Sequence, residues 1–430
     1  MDMLTTTVAP APASLSHGGC RVCGNALTHT VVDLGMSPLC EAFLTLDQTD
    51  RMEPYFPLHV LVCDDCFLVQ LKEYVAPEEI FREYAYFSSY STSWVEHAAG
   101  YCGMITDRAG LDADSLVVEI ASNDGYLLQH FIPLGIPVLG IEPAANIAQV
   151  AVAKGIETRV DFFDLALADE LVRAGKRADL VIANNVLAQV PDLNDFIAAM
   201  RHLLKPQGMI TVEFPHLQEL LAWTQFDTIY NEHFSYFSLT TIDLLARRHE
   251  LRVVDVEELR THGGSLRVYM AHASAGRTPT SRVSAVLDEE KRRGLQDVGS
   301  YAAFAQQVRS TKRKLLSFLI KAKESGKTIC GYGAPGKGNT LLNYCGIGTD
   351  FLDFTVDRNP YKHGRFTPGM HIPIHPIDMI AQAKPDYVLI LPWNLKHEIM
   401  RQLDYVSAWG GKFVLPIPEV TVVDPRGVAA

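Results

Sequence analysis

The stretch IYNEHFSYFS, residues 229–238, places an acid beside a base among residue types that favour a half-buried strand or turn. Glu232 and His233 are adjacent, and Tyr230 lies two residues before the acid. A histidine can accept a proton near neutral pH, and a neighbouring carboxylate can orient it. Adjacent residues of a strand point to opposite faces, so this pair is not simple amphipathic patterning. It is either a surface ion pair or an acid/base couple in an aromatic-walled pocket.

Four of the eight cysteines stand in two C-x-x-C pairs separated by 39 residues. Four thiolates at the corners of a tetrahedron are the ligand set of a closed structural zinc site. A redox role is disfavoured because neither pair opens a helix in a βαβ unit. The spacing therefore predicts one structural zinc, the alternative being four unrelated buried cysteines. The predicted ligands are Cys20, Cys23, Cys63 and Cys66.

Length and composition restrict the class of protein. A chain of 430 residues is too long for one core and predicts two or three domains. The net charge of −12 argues against nucleic acid or an anionic membrane as the main partner. No apolar run approaches the roughly 18 residues of a membrane span. The N-terminus lacks the basic and apolar regions of a secretory signal, so a cytoplasmic protein with a disordered leader is expected.

The elements that must position these residues alternate between strand and helix from about residue 115. Helical stretches such as 193–205 separate five short apolar strands, which span 115–120, 137–143, 158–163, 178–186 and 208–215. This alternation predicts a parallel, doubly wound sheet with ligands at the carboxyl ends of the strands. Two later strand-like runs, LRVVDVEEL and SLRVYMAH, lack a crossover helix between them. They predict the antiparallel ending of a class I methyltransferase sheet.

The ends of the first strands carry residues that suit S-adenosylmethionine. The turn ASNDG after Glu119 lets a ligand approach the backbone, but its single glycine and Asp124 suit a cationic sulfonium better than a pyrophosphate. Glu142 lies 23 residues after Glu119, where an acid can hold both ribose hydroxyls. The end of the third strand offers side chains to an adenine. The candidate cofactor contacts are Glu119, Ala121, Asn123, Gly125, Glu142, Pro143, Asp161, Phe162, Asn184 and Asn185.

A second nucleotide-type signal lies in KTICGYGAPGKGNTLLNYCG, which contains a G-x-G-x-x-G after an apolar strand. With Asp357 at the end of the next strand-like run, it would by itself predict a dinucleotide site. It also lies one residue from a P-loop, although Gly338 replaces the Ser or Thr that binds magnesium. Lys337 adds a cation where helix amides already favour an anion. The loop therefore fits either NAD or one phosphate of another ligand.

In combination and order, these motifs resemble those of the S-adenosylmethionine-dependent sugar C-methyltransferases that act on nucleotide-linked 4-keto-deoxysugars. The similarity runs from Cys20 to about Pro416 and includes both zinc knuckles, EIASNDGYLL, YNEHFSYFS, HGGSLRV, GYGAPGKGNTLLNY and ILPWN. It implies an α/β protein with a class I methyltransferase Rossmann-like domain, a small N-terminal zinc-binding domain and a second Rossmann-like domain without NAD. We expect a leader at 1–17, the zinc-binding domain at 18–75, the methyltransferase domain at 76–282, and linker helices with the sugar-nucleotide domain at 283–430.

The resemblance also implies which residues face the sugar. The Tyr-x-Glu-His motif and the tyrosines of REYAYFSSYS map onto Tyr84, Tyr230, Glu232 and His233. Gln189 stands where the family has a histidine, and it can form hydrogen bonds but cannot titrate. Further substrate contacts are expected from Tyr86, His262, Gly264, Ser265, Arg267, Lys337, Asn339, Arg358, Tyr361 and Lys362.

The reaction that these residues predict is methyl transfer to carbon. A ketone at C4 acidifies C3, so a base can remove the C3 proton while donors hold the C4 oxyanion. His233 is the predicted base, Glu232 orients it or bonds a sugar hydroxyl, and Tyr84 or Tyr230 donates to the oxyanion. The alternatives are an NAD-dependent nucleotide-sugar oxidoreductase or epimerase, and a non-catalytic binding module favoured by Gln189. We expect a monomer or homodimer whose partner is a nucleotide-diphosphate sugar.

Overall fold

The computed structural model describes residues 18–72, 75–76, 80 and 87–425, and strands and helices are numbered along this part of the chain. The leader 1–17 and the tyrosines Tyr84 and Tyr86 lie outside the described residues. The described strands form three sheets, of four, seven and six strands. Among the helices in these ranges, none has the length and apolar character that crossing a membrane requires.

The first sheet is antiparallel and builds the N-terminal lobe, defined here as residues 18–72, together with one strand from the middle of the chain. In order, its strands are β1 (His29–Ser37), β2 (Phe56–Val62), β3 (Val69–Leu71) and β9 (Ser235–Tyr236). Strand β9 comes from IYNEHFSYFS and pairs with β3 through Tyr236 opposite Val69. Pairing with the lobe therefore anchors the segment that carries His233.

The second sheet has the strand order of a class I methyltransferase, which confirms the predicted architecture. In spatial order its strands are β10, β11, β8, β7, β4, β5 and β6. The five strands from β4 to β8 run parallel, whereas β11 is antiparallel to β8 and β10 to β11. Their bounds are β4 (Val117–Ile120), β5 (Val138–Ile141), β6 (Thr158–Arg159), β7 (Ala178–Asn184), β8 (Leu204–Pro215), β10 (Leu251–Leu259) and β11 (Ser265–His272).

Helices that flank this sheet complete the central domain, which we define as residues 92–272. The Asp164 and Asp192 side chains accept backbone hydrogen bonds at the starts of two of them, as N-caps do. The predicted helix 193–205 ends at Leu203 because Leu204 already belongs to β8. The helices are α1 (Thr92–Ala109), α2 (Ala145–Ala153), α3 (Leu165–Arg173), α4 (Leu193–Leu203), α5 (Leu217–Ala222) and α6 (Leu239–Arg248).

Two helices, α7 (Ser281–Arg292) and α8 (Ala302–Glu324), connect the central domain to the third sheet. The sequence predicts a helical stretch over 283–327, but the structure breaks it at Gly294. This glycine has φ +83, and a Cβ there would lie 2.3 Å from Ser300 Oγ. The buried Glu290 carboxylate ties α7 to the start of α6 by accepting from the amides of Leu239 (2.6 Å) and Thr240 (2.8 Å).

The third sheet forms the C-terminal domain, residues 329–423, and is parallel except at one edge. Its order is β14, β13, β12, β15, β16 and β17, with β17 antiparallel to β16. The elements are β12 (Ile329–Tyr332), α9 (Gly336–Cys345), β13 (Thr355–Val356), β14 (Ile374–His375), α10 (Met379–Ala383), β15 (Tyr387–Ile390), α11 (Lys396–Gln402), β16 (Lys412–Leu415) and β17 (Thr421–Val423). A second Rossmann-like domain is therefore present.

The N-terminal lobe packs into the hydrophobic cores of both other domains. Cys66 belongs to the same buried cluster as Val118 of the central sheet. Val60 belongs to a second cluster with Leu315 of α8 and Leu389 of β15. Burial of each large aliphatic side chain contributes about 1.5–3 kcal/mol. The lobe therefore joins the central and C-terminal domains through apolar contacts.

The four cysteines of the two C-x-x-C pairs converge beside this core. Their sulfur atoms all lie within 4.8 Å of one another. The Sγ atoms of Cys20 and Cys66 are 3.3 Å apart, and those of Cys23 and Cys63 are 3.4 Å apart. Sulfurs around a zinc ion at ~2.3 Å would be separated by roughly 3.8 Å. The arrangement fits the closed tetrahedral zinc site that the spacing predicts.

We expect one zinc ion per chain, measured by elemental analysis of the purified, reduced protein. Cys66→Ser should lose the metal and lower the thermal midpoint strongly, because structural zinc contributes on the order of 10–16 kcal/mol in small domains. Cys345→Ser is the matched control, since it also alters a buried thiol but lies outside the cluster and should keep one zinc. Wild-type protein without zinc would contradict the assignment.

Candidate active site

The turn after β4 has an unusual backbone that opens space at the carboxyl end of the sheet. Ala121, Asn123 and Gly125 all have left-handed conformations, with φ of 55°, 50° and 75°. At Gly125 an added Cβ would lie 2.3 Å from Ile156 Cδ1, so a larger residue is excluded. Left-handed conformations of non-glycine residues cost free energy and concentrate at ligand sites. The predicted turn of small residues therefore has a backbone conformation that is typical of ligand sites.

Glu142 lies at the end of β5 and contacts this turn directly. Its Oε2 accepts from the Asn123 amide at 2.9 Å, and its Oε1 accepts from the Ala144 amide at 2.9 Å. Burial raises the pKa of this carboxyl to about 7. Each oxygen has a second lone pair that can accept a further hydrogen bond, such as one from a ribose hydroxyl. Pro143 is half-buried beside it.

Several buried polar atoms around the turn have no hydrogen-bond partner within the described part of the chain. They are Glu119 Oε2, Asn184 Oδ1 and both side-chain polar atoms of Asn185. Such groups cost about 1–3 kcal/mol each unless a ligand satisfies them. Burial, Glu142 and Asp124 together raise the pKa of Glu119 well above its usual value. The cluster of acids and unpaired amides fits a cationic ligand with polar groups, as S-adenosylmethionine is.

The predicted adenine contacts lie farther toward the surface than the sequence indicates. Strand β6 ends at Arg159, so Asp161 and Phe162 belong to the loop that follows it. The Asp161 side chain is exposed and pairs with Arg159 at 3.5 Å, while Phe162 is half-buried. The third strand is shorter than predicted because Asp164 starts α3 immediately after this loop.

Residues 87–91 cover the cofactor turn, a role that the sequence analysis missed. The Ser88 amide donates to Asn123 Oδ1 at 2.9 Å, and the Ser89 amide donates to Asp124 Oδ2 at 3.3 Å. On the other side, the Phe87 ring stacks on Tyr361 of the C-terminal domain with centroids 5.6 Å apart. This segment connects the cofactor turn to the C-terminal domain.

His233 has a defined hydrogen-bonding state. Its Nδ1 lies 3.0 Å from the Thr228 carbonyl oxygen, which can only accept, so Nδ1 carries the hydrogen. Its Nε2 is then an acceptor for the Tyr230 hydroxyl at 3.0 Å. Burial lowers the pKa of His233 to about 4, and electrostatic interactions with His262 and Lys337 act in the same direction. The imidazole is therefore neutral and bonded to a phenol, and both side chains are half-buried.

The neighbours of His233 differ from the predicted acid/base couple. Thr228, and not Glu232, orients the imidazole. The Glu232 side chain is 2% exposed and accepts from the Cys40 thiol of the N-terminal lobe at 3.1 Å. Gln189 is half-buried and follows Ala188, whose carbonyl accepts from the Phe234 amide at 2.7 Å.

Lys337 lies on the C-terminal side of the same cleft. Its Nζ donates to Asn394 Oδ1 at 3.1 Å and lies 5.1 Å from the centroid of the Trp393 ring. Trp393 in turn donates through Nε1 to Asp227 Oδ2 at 2.6 Å. Burial lowers the pKa of Lys337, although Asp227 partly opposes this effect. Trp393 connects Lys337 with Asp227, which directly precedes Thr228, the residue that bonds His233.

His262 is a second half-buried histidine, next to a residue that packs on the C-terminal domain. It has a left-handed φ of 52°, and its Nε2 is buried and has no hydrogen-bond partner within the described residues. Burial and Lys337 lower its pKa to about 4. The next residue packs closely against the C-terminal domain, because a Cβ on Gly263 would lie 2.7 Å from the Trp393 ring.

The G-x-G-x-x-G loop is filled by groups of the protein itself. A Cβ on Gly336 would lie 2.7 Å from Cys40 Sγ and 3.4 Å from Glu41 Oε1. Lys362 pairs with Glu41 at 3.2 Å and donates to the Ala334 carbonyl at 2.8 Å. Asp357 accepts from the Ala334 amide at 2.7 Å. The anion site that the glycine pattern predicted is therefore occupied by the Glu41 carboxylate.

Several predicted substrate contacts bind protein groups instead of facing the cleft. Buried Arg267 pairs with Glu213 at 2.9 Å, and Asn339 Nδ2 donates to the Cys40 carbonyl at 2.6 Å. Ser265 Oγ donates to the Thr261 carbonyl at 2.9 Å, while Gly264 packs on the Glu219 side chain. At the surface, Arg358 pairs with Glu398 at 3.2 Å and Tyr361 is 56% exposed. The side chains of Arg267, Asn339 and Lys362 therefore bind other parts of the protein.

Three family models match the chain. The model described as "Putative zinc binding domain" matches residues 20–81, which include the four converging cysteines. The model described as "Methyltransferase domain" matches residues 94–256, and the one described as "C-methyltransferase C-terminal domain" matches residues 260–418.

Individual proteins also match the chain. C-methyltransferase NovU of Streptomyces niveus is 38% identical over 407 residues, which cover 94% of this chain and 96% of that protein. The ubiquinone biosynthesis O-methyltransferase of Bartonella bacilliformis is 26% identical over 97 residues, or 22% of this chain and 39% of that protein. Similarity over nearly the full length of both chains, with the methyltransferase sheet and the cysteine cluster, shows that this protein belongs to the S-adenosylmethionine-dependent C-methyltransferases with a structural zinc site.

Proposed function

We propose that the protein transfers a methyl group from S-adenosylmethionine to C3 of a nucleotide-linked 4-keto-deoxysugar through an enolate. The observation that carries the proposal is the Tyr230–His233 pair, in which a neutral imidazole accepts at Nε2 from a phenol. A carbon becomes nucleophilic only after it loses a proton, which requires such a base. The homologous NovU is named a C-methyltransferase, which agrees with a carbon acceptor.

The cofactor side of the proposed site is acidic. The turn 121–125, Asn184 and Asn185 would hold the amino-acid part, and Glu142 would accept from the ribose hydroxyls. When bound, S-adenosylmethionine supplies an electrophilic methyl group whose bond to sulfur breaks, leaving the electron pair on sulfur, as the new carbon–carbon bond forms. Burial and neighbouring acids raise the pKa of Glu119 and Glu142, and a cationic ligand beside them would favour their charged forms. Both acids therefore favour the sulfonium over its neutral product.

On the substrate side, the Tyr230–His233 pair would remove the proton next to the ketone. His233 takes the proton at Nε2 directly, or receives the phenol proton while Tyr230 takes that of the sugar. Thr228 keeps the opposite ring nitrogen protonated, so the basic nitrogen always faces Tyr230. Gln189 follows Ala188, whose carbonyl accepts from the Phe234 amide. Its side chain can form a hydrogen bond to a sugar hydroxyl but cannot take up the proton that leaves the sugar.

Occupation of the G-x-G-x-x-G loop weighs against the oxidoreductase alternative. A dinucleotide pyrophosphate needs the amides at the start of α9. There it would meet the Glu41 carboxylate, and Lys362 would have to break its pair with that acid. The non-catalytic alternative rests on Gln189 alone, whereas the Tyr230–His233 pair keeps the geometry of a working base.

The function is tested by incubating the protein with S-adenosylmethionine and a thymidine diphosphate-linked 4-keto-6-deoxyhexose. Mass spectrometry should show the gain of one methyl group, and NMR should place it on C3. A methyl on C5, which is also adjacent to the ketone, would keep the reaction class but overturn the position. Binding of both ligands without product would support the non-catalytic module.

In the same assay, His233→Asn should lower kcat by about 10²–10⁴, the usual cost of losing a general base. Affinity for both ligands should change little. Gln189→Ala is the comparison variant, and it should lose less because Gln189 cannot accept the proton. Nearly full activity of His233→Asn would show that the base lies elsewhere, with Tyr230 as the next candidate.

Affinity for S-adenosylmethionine should rise with pH through about 7. Glu142 has a ligand-free pKa of about 7 because of burial, and hydrogen bonds from ribose favour its carboxylate form, so protonation at lower pH opposes binding. Glu142→Gln should bind about 10–100-fold more weakly at pH 8 and lose most of this dependence. Calorimetry at pH 6 and 8 measures both effects, with exposed Glu157→Gln as the control. If Glu142→Gln kept the pH dependence of the wild-type protein, Glu142 would not be the acid that binds the cofactor.

A further inference from the structure

We propose that Lys337 holds the C4 oxygen of the sugar as it becomes an enolate oxyanion, and is therefore a catalytic residue and not a ligand of the diphosphate. This inference rests on the proposed function, because it concerns the same ketone. It also changes the role that the sequence gives to Lys337. The three lines of support are the occupied helix start, the contacts that fix the ammonium group, and the position of that group relative to the base.

The helix start that made Lys337 resemble a phosphate ligand binds a side chain of the N-terminal lobe instead. Lys337 follows Gly336 at the start of α9, where helix amides favour an anion. That anion is Glu41, whose Oε1 lies 3.4 Å from the Cβ position of Gly336 and whose Oε2 pairs with Lys362. A phosphate at this helix start would be repelled by the carboxylate. Lys337 is therefore separated from the anion site of its own helix.

The Lys337 ammonium instead joins a network that crosses between the domains. Asn394 accepts its hydrogen at 3.1 Å, and the Trp393 ring lies beneath it. Trp393 is fixed by buried Asp227, which is 0% exposed and directly precedes Thr228. Because the Thr228 carbonyl orients His233, one short segment positions both the base and the counter-ion of Lys337.

This placement suits the oxygen at C4 better than the diphosphate. C4 is bonded to C3, so a base that reaches the C3 proton also has the C4 oxygen close by. The diphosphate is attached at C1, which lies across the ring from C4. The Trp393 ring beside the ammonium packs against Gly263, the neighbour of His262, and donates to Asp227, the neighbour of Thr228, which bonds His233. These contacts place the charge of Lys337 at the base end of the site.

The movement of electrons during enolate formation shows where the ammonium group of Lys337 would act. The C3 proton passes to the base, the C–H electron pair forms the C3–C4 double bond, and the carbonyl π pair moves onto oxygen. A fixed ammonium beside that oxygen stabilises the developing charge without reorganisation. Burial lowers the pKa of Lys337, so the group donates its hydrogen more readily than an exposed lysine.

The test measures enolate formation and nucleotide binding separately. The thymidine diphosphate-linked 4-keto-6-deoxyhexose is incubated with enzyme in D₂O without S-adenosylmethionine, and NMR follows deuterium entry next to the ketone. Lys337→Met should slow this exchange and kcat by about 10²–10³ at saturating substrate. Affinity for thymidine diphosphate, measured by calorimetry, should stay the same. Lys337→Gln, which can still bond to Asn394, should show the same split if the methionine variant is poorly folded.

Lys321→Met is the matched control, because it removes one exposed positive charge from α8 and should alter neither measurement. Weaker thymidine diphosphate binding by Lys337→Met, with normal exchange at saturating substrate, would overturn the inference and restore a phosphate role. A wild-type protein that neither exchanges the proton nor methylates the probe would count against the proposed function, and this inference would fall with it.

Discussion

The contact between Glu41 and the start of α9 determines how the rest of the molecule is arranged. The carboxylate approaches Gly336 and pairs with Lys362, which Asp357 also attracts. Burial alone would lower the pKa of Lys362, but these two acids hold it above its ordinary value. A buried ion pair of this kind adds little net stability, yet breaking it costs several kcal/mol because one charge is left unpaired. It therefore specifies how the N-terminal lobe docks.

The structural zinc acts on the active site through the same lobe. The cysteine cluster shares a hydrophobic core with the central sheet, and strand β3 of the lobe pairs with β9, which follows His233 by two residues. Cys40 of the lobe donates to Glu232, which directly precedes His233. The lobe therefore holds the proposed base through residues on both sides of it in the sequence. Distance from the chemistry does not make the zinc lobe dispensable.

The fold and the tight turn at 121–125 could be predicted from the sequence because both depend on local patterns. Short apolar strands with helices between them define the sheet, and the small residues at 121–125 define the turn. The contacts of Glu232 and Lys362 were harder to predict from the sequence, since their partners are about 190 and 320 residues away in the chain. The glycine pattern predicted a ligand phosphate at Gly336, whereas the packing of the lobe places the Glu41 side chain there. Long-range contacts of this type leave no periodic signal.

The two sides of the proposed site differ in charge. Acids surround the cofactor turn, whereas Lys337 and two neutral histidines lie on the proposed substrate side. A sulfonium is favoured beside the acids, and an enolate is favoured beside the ammonium. The enolate would be reprotonated by water if the cleft stayed open, so exclusion of solvent matters as much as the base itself. Residues 87–91 connect the cofactor turn to Tyr361, and the lobe closes the opposite side through Cys40 and Glu41. In the proposed reaction, the packing of these three parts of the chain around the site would keep the carbanion equivalent available to the methyl group.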